Sequence, residues 1–296
     1  MKTTFKLFGL IFMLFAFIAC SDDDDGDSAP AEFTVTAISP ESGTVGTEIT
    51  ITGTDFPTDA SLINLTFGGV AATINSLSST QITTTVPAGA TSGNVSIRAN
   101  GVTKTTPVAF SVLVELISGT MENLFAPSTS NFGEPAAGEF TKFSFATGDV
   151  TTSDTEWDLA FRTTTIAVNG GVITGTNDEP ERNGNGEAAI FEGLFSEVTS
   201  TSINGLTFAQ DGTGAFAIPT GSNNGWYNYN PMTNVISPLP GKILVFRTHD
   251  GKVAKVEVLS YYEDAPASPD GFADTPRYYT FNYVYNPNEG ETSLAN

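Results

Sequence analysis

The sequence predicts an all-β protein with two packed domains, and three observations carry that prediction. Segments such as TEITITG (residues 47–53) and GNVSIRA (residues 93–99) alternate Ile or Val with polar residues, the period-two pattern of half-buried strands. Glycine and proline recur between these runs and end each one. No long window carries an apolar stripe at helical spacing. A chain of 296 residues with 40% hydrophobic side chains has the length and apolar content for about two cores.

In chain order, the first segment does not fold with the rest. Lys2 and Lys6 precede an almost unbroken apolar run, residues 7–18, ending at the small residue Ala19; this is the layout of a secretory signal, residues 1–19. The run is shorter than the ~20 residues that a membrane-spanning helix needs. Phe17-Ile18-Ala19-Cys20 resembles the lipobox of a bacterial lipoprotein, with Phe where Leu is usual. The resemblance implies that Cys20, the only cysteine, becomes an acylated N-terminus; a lone Cys has no intrachain disulfide partner. Ser21 is followed by four aspartates, Asp22 to Asp25, which repel one another and bury nothing. Residues 20–34 therefore read as a solvated tether. A Ser followed by acids after the lipidated Cys also resembles the surface-export signal of Bacteroidetes lipoproteins. That implies the outer membrane, lipid-anchored and facing the exterior, with a periplasm-facing lipoprotein as the alternative.

The net charge is −21, and loss of Lys2 and Lys6 with the signal makes it more negative still. Such a surface repels nucleic acid and anionic lipid, so nucleic acid is excluded as a partner and the membrane link is the acyl chain. One histidine and a lipidated Cys supply no Ser-His-Asp or Cys-His pair and no usual zinc ligand set. The reading is a non-enzyme with no catalytic residue.

Residues 35–112 open with ISPESGTVGTEITITGTDF, in which Ile38, Pro40, Gly43, Gly46, Ile49, Ile51, Gly53 and Phe56 hold fixed spacings. LTFGGVAA (residues 65–72), ITTTVPAGA (residues 82–90) and GNVSIRA follow. Alternating Ile fills a sandwich core, glycines permit tight turns, and Val86-Pro87 ends a strand where no backbone donor is needed. The pattern resembles the IPT/TIG domain and implies an immunoglobulin-like β-sandwich, usually a spacer or binding platform.

Residues 114–296 read as a larger all-β domain. GKILVFRTHDGKVAKVEVLSYY (residues 241–262) is an apolar strand, an Asp250-Gly251 turn and a strand with Ala254, Val256 and Val258 on one face. EWDLAFRTTTIAVNGG (residues 156–171) reads as a strand pair, and RYYTFNYVYNP (residues 277–287) is an aromatic strand entered through a Pro-rich loop. WDLAF, GWYNYNPMTNVISP (residues 225–238), the hairpin and YYTFNYVYNP together resemble the HmuY family. The resemblance implies an all-β protein that binds haem as a transported ligand and passes it to a TonB-dependent outer-membrane receptor.

Haem iron takes axial His, Met, Tyr or Cys, and the macrocycle wants an apolar slot. His249 is the only histidine, so a bis-His site within one chain is excluded; it is one axial-ligand candidate, although its place in the turn RTHDGK favours an orientation into water. Met232, in YNYNPMTNVISP, lies where the resemblance places one axial ligand, with Asn234 where relatives carry His; packing filler is its other role. Met121 is the remaining methionine candidate. Trp226, Tyr227 and Tyr229 are candidates to line or stack on a porphyrin, and Arg162 or Lys242 to pair with propionates. NDEPERNGNGE (residues 177–187) gathers oxygen donors and reads as a calcium loop or, more simply, a solvated acidic turn. The alternative function is surface glycan binding, with Trp226, Tyr227 and Tyr229 as an exposed aromatic platform. Trp226 on a flat face favours glycan; Trp226 in a cleft beside Met232 favours haem.

Overall fold

A computed structural model of the chain describes residues 32–130, 134 and 136–295. The signal, Cys20 and most of the acidic tether lie outside the described residues. The N-terminal strands are β1 (Thr34–Ser39), β2 (Ser42–Gly43), β3 (Glu48–Thr54), β4 (Ile63–Phe67), β5 (Val70–Ala71), β6 (Ile74–Leu77), β7 (Gln81–Thr85), β8 (Ser96–Ala99), β9 (Val102–Thr105) and β10 (Ser111–Val112). They build two antiparallel four-stranded sheets, β1-β3-β7-β6 and β5-β4-β8-β9, and a parallel β2-β10 pair. Period-two patterning sets what faces inward. On β3, Ile49 and Ile51 are fully buried while Glu48, Thr52 and Thr54 are exposed. Ile82, Leu65, Phe67 and Ile97 meet them in one core, each contributing roughly 1.5–3 kcal/mol by burial. A Cβ at Gly53 would lie 2.0 Å from the Thr34 carbonyl oxygen and 2.5 Å from the Phe56 ring, so only glycine lets β1 and Phe56 close on β3.

The C-terminal elements are β11 (Ile117–Phe125), β12 (Thr141–Ser144), β13 (Asp149–Thr151), β14 (Leu159–Arg162), β15 (Thr165–Val168), β16 (Glu187–Glu192), α1 (Ser200–Gly205), β17 (Tyr227–Asn230), β18 (Val235–Pro238), β19 (Lys242–Arg247), β20 (Val253–Tyr262) and β21 (Pro276–Asn286). A five-stranded sheet runs β11-β21-β20-β19-β16, a four-stranded sheet runs β13-β12-β14-β15, and β17-β18 is a separate hairpin. The two larger sheets face each other through aromatic side chains. Phe143 meets Phe281 at 5.4 Å between ring centroids, and Phe161 meets Tyr279 at 4.9 Å, edge-to-face and tilted contacts that add to plain burial.

The β19–β20 hairpin forms as expected, with Leu244 opposite Val256 and Phe246 opposite Ala254. Ala254, Val256 and Val258 share the inner face. The outer face of the sheet is covered as well. Ile243, Val245, Val253 and Val284 pack there with Val198, Ile203 of α1 and Leu294. The continuous apolar run ILVF is what a strand buried on both faces requires. Lys255 lies on that covered face, its ammonium donating to the Phe195 carbonyl at 2.9 Å. Among the described residues, no helix is long and apolar enough to cross a membrane.

Candidate functional site

The aromatic segment splits between core and surface along a few residues. Trp226 is 2% exposed, packs on Tyr227, Tyr261 and Tyr279, and donates its indole N–H to the Thr164 carbonyl at 3.0 Å. Tyr227 is buried too, its hydroxyl accepting from the Thr164 hydroxyl at 3.3 Å. Trp226 therefore lies neither on a flat face nor in a cleft beside Met232. The expected aromatic platform and porphyrin wall lose both residues, because β17 packs them onto the β20–β21 sheet. Tyr229, two positions further along β17, is exposed.

Beyond Tyr229 the chain turns through residues 230–234. The Asn230 side chain accepts from the Met232 amide at 2.9 Å, a side-chain turn that Asn readily makes. Asn234 sits at φ 56°, a left-handed conformation Asn tolerates. It accepts from the Tyr229 hydroxyl at 3.0 Å and donates to the Gly271 carbonyl at 2.7 Å. The turn is thus locked to residues 264–276, which are tied at their start to β11 by Asn123 donating to Asp264 at 2.9 Å. A Cβ at Gly271 would stand 2.2 Å from the Asn234 carbonyl oxygen, so glycine is needed for the two loops to touch.

At this corner Met232 is 85% exposed and Phe272, next to Gly271, is 77% exposed. Met232 is therefore no packing filler, correcting that alternative. Phe272 was missed because a single Phe in a polar, Pro-rich loop belongs to no strand pattern. A cleft of about 430 Å³, lined by Pro238, Leu259, Tyr261, Ala265 and Pro269 among others, opens under the same loop. Met121 lies elsewhere, half-buried on β11 opposite Phe281 and packed against the main core.

His249 does not point into water. Asp158 and Glu156 flank it, with Nδ1 2.7 Å from Asp158 Oδ1 and Nε2 3.2 Å from Glu156 Oε2. The hydrogen bond to Asp158 is the main reason the imidazole pKa is pushed up to about 9, against partial burial. Both ring nitrogens are donors at neutral pH and neither has a lone pair free for iron. A folded-state pKa above the unfolded value, ~6.5, gives stability fully present below pH ~6.5 and lost as pH rises through about 9. Urea unfolding at pH 6 and pH 10 should therefore show a loss of about 2 kcal/mol, once screening at the open edge of the ring is included. His249→Gln should flatten that profile; an unchanged slope would refute the clamp.

The segment 177–187 keeps Asn177, Asp178, Glu181, Asn183 and Asn185 exposed, as a solvated turn does, but two of its side chains anchor it in the fold. Glu179 and Arg182 have side chains 1% exposed, and Arg182 bridges Glu179 at 2.9 Å and Asp211 at 2.8 Å while covering the Trp157 ring. Burial works against the Glu179 charge, but hydrogen bonds from Thr174 and Thr176 outweigh it and hold the carboxyl below its ordinary range. Burial pushes the Asp211 carboxyl up, although the Ala217 amide, Arg182 and the Val168 amide oppose this. Glu187 pairs with Arg247 at 2.7 Å, Asp178 accepts from the Gly138 amide at 2.8 Å and Asn183 donates to the Asp154 carbonyl at 3.0 Å. Arg162 is buried as well, while Lys242 pairs with Glu192 on the five-stranded sheet.

With both domains described, the N-terminal sandwich can be compared with known families. Its sequence over residues 34–112 matches the IPT/TIG domain. The N-terminal unit is an IPT/TIG domain. No curated protein matches the chain. Among solved structures, the chain is similar to an apo HmuY analogue from Tannerella forsythia, at 14% identity over 60% of this chain and 99% of that one, with a TM-score of 0.37. It is also similar to an auxiliary nutrient binding protein from Bacteroides ovatus, at 15% identity over 77% of this chain and 68% of that one, TM-score 0.28. A surface glycan-binding protein from Prevotella bryantii matches at 12% identity over 89% of this chain and 72% of that one, TM-score 0.24. Likenesses of this size assign no ligand to this chain.

Proposed function

We propose that the chain is a lipid-anchored surface protein, tethered through Cys20, in which the IPT/TIG domain is a spacer and the C-terminal domain captures haem for a TonB-dependent receptor. The observation that carries this reading is the pair of exposed apolar side chains, Met232 and Phe272, carried on two loops locked together by Asn234 and Gly271. A side chain kept 85% in water is free to meet a ligand without disturbing the core. A thioether can ligate haem iron, and an exposed aromatic ring such as Phe272 can cover part of the macrocycle. Tyr229 and the Pro- and Tyr-lined cleft extend the apolar surface around the same loop. An open corner with one soft ligand also suits a carrier that must release its cargo. The glycan reading keeps only Tyr229 of its three aromatic residues at the surface.

The test is an absorbance titration of the chain from Ser21 onward with ferric and with dithionite-reduced haem. Wild type should give a saturable Soret change, and Met232→Ala should weaken it at least tenfold while altering stability by less than about 0.5 kcal/mol, as expected of an exposed site. His249→Gln should leave the titration unchanged. Absence of saturable binding in both redox states would refute the haem reading.

A further inference from the structure

The two domains meet at residues 113 and 114. The Leu113 amide donates to the Gly43 carbonyl at 2.9 Å, which extends the β2–β10 pairing by one residue. The next residue is held by the other domain. The Asn288 side chain accepts from the Val114 amide through Oδ1 and donates to the Val114 carbonyl through Nδ2, both at 2.7 Å. Asn288 is fixed in turn, because the Asn286 side chain accepts from its amide and from its Nδ2, each at 2.9 Å. Both Nδ2 hydrogens are thus used. Asn286, 3% exposed at the end of β21, donates to the Ser293 carbonyl at 2.8 Å.

Burial and charge leave the angle between the domains to this joint. Among the described residues, the N-terminal core shares no side chain with the C-terminal clusters, and every ion pair lies within one domain. Val114 is 62% exposed, so its own side chain adds little packing. Peptide planes are rigid, and those carrying the Val114 N–H and the Val114 C=O are both tied to Asn288. Only the φ and ψ of Leu113 then remain between the domains. Without Asn288, Val114 and Glu115 would add four more torsions before Leu116, which packs against a C-terminal cluster.

We propose that Asn288 is a latch that makes the IPT/TIG domain and the C-terminal domain one body. The latch rests on these hydrogen bonds and on neither haem nor Met232. It also fixes where the Met232 and Phe272 loops are presented. β21 begins at Pro276, at the end of the Phe272 loop, and finishes at Asn286, two residues before the latch. A strand of eleven residues rising ~3.3 Å per residue separates those ends by about 35 Å. The corner therefore stands at the end of the C-terminal domain remote from the joint, in one orientation, and a partner reaches it without passing the IPT/TIG domain.

The test is the distance between two spin labels, read by pulsed electron paramagnetic resonance in the chain from Ser21 onward, which has no native cysteine. The labels go on Thr52→Cys and Ser196→Cys, both exposed positions, one in each domain. With the joint intact the distance distribution should be single and narrow. Inserting Gly-Ser-Gly-Ser between Leu113 and Val114 frees the joint and sets the broad limit. Asn288→Ala, which takes the partner from both Val114 groups, should widen the distribution at least twofold with an unchanged circular dichroism spectrum. Asn288→Asp keeps the acceptor for the Val114 amide, loses the donor, and should fall between. An intact joint as broad as the insertion variant overturns the proposal, a comparison that needs no change at Asn288. Asn288→Ala as narrow as the intact joint overturns the role of Asn288.

Discussion

Arg182→Ala lowers the unfolding free energy of the C-terminal domain by about 3–5 kcal/mol. The substitution removes the cation that lies between Glu179 and Asp211 and leaves both carboxylates inside the fold, where their side chains are 1% and 0% exposed. Asp211 still receives the Ala217 and Val168 amides, and Glu179 still receives Thr174 and Thr176. Those hydrogen bonds do not replace the lost charge. The measurement is urea unfolding followed by tryptophan fluorescence. Both tryptophans, Trp157 and Trp226, belong to the C-terminal domain, so the signal is free of the IPT/TIG transition. Arg182→Lys should fall between, since an ammonium cannot reproduce the fork that bridges two carboxylates. A loss below about 1 kcal/mol would mean that water from the neighbouring cleft of about 630 Å³, which Glu179 lines, already solvates the pair.

Trp226→Ala costs about 3–5 kcal/mol by the cavity it leaves among Tyr227, Tyr261 and Tyr279. It also removes the donor to the Thr164 carbonyl. Trp226→Phe restores most of the volume but not that hydrogen bond, and should cost less. The distinction matters for function, because a lost ligand in Trp226→Ala reflects a loosened β17–β18 hairpin. Calorimetry of the variant should show a lowered midpoint with or without haem. A variant with wild-type stability and no haem binding would instead restore Trp226 as a contact residue.

Much of the fold is readable from residue pattern. Ile49 and Ile51 alternate with Thr because β3 has one dry and one wet face, and Asp250-Gly251 marks its hairpin because the turn needs positive φ at Gly251. The site was less legible. Met232 and Met121 are both ligand candidates in sequence, yet one tops a turn locked by Asn234 and the other leans on the β11–β21 core. The partners of His249 are Asp158 and Glu156, more than ninety positions away in the chain. No local pattern announces such a pairing. The same holds for Arg182 and Asp211, whose buried ion pair anchors an otherwise solvated loop.

Local chemistry therefore specifies the all-β character, the hairpins, the acidic tether composition and the IPT/TIG pattern, because these depend on neighbours a few residues apart. Long-range packing decided which aromatic residues are core and which are surface, since burial depends on what another sheet covers. It placed Trp226 inside and Met232 outside within one hairpin. It also left Arg162 buried with one N–H unmatched, a state that arises only when distant segments supply some of the acceptors a guanidinium requires and not all of them.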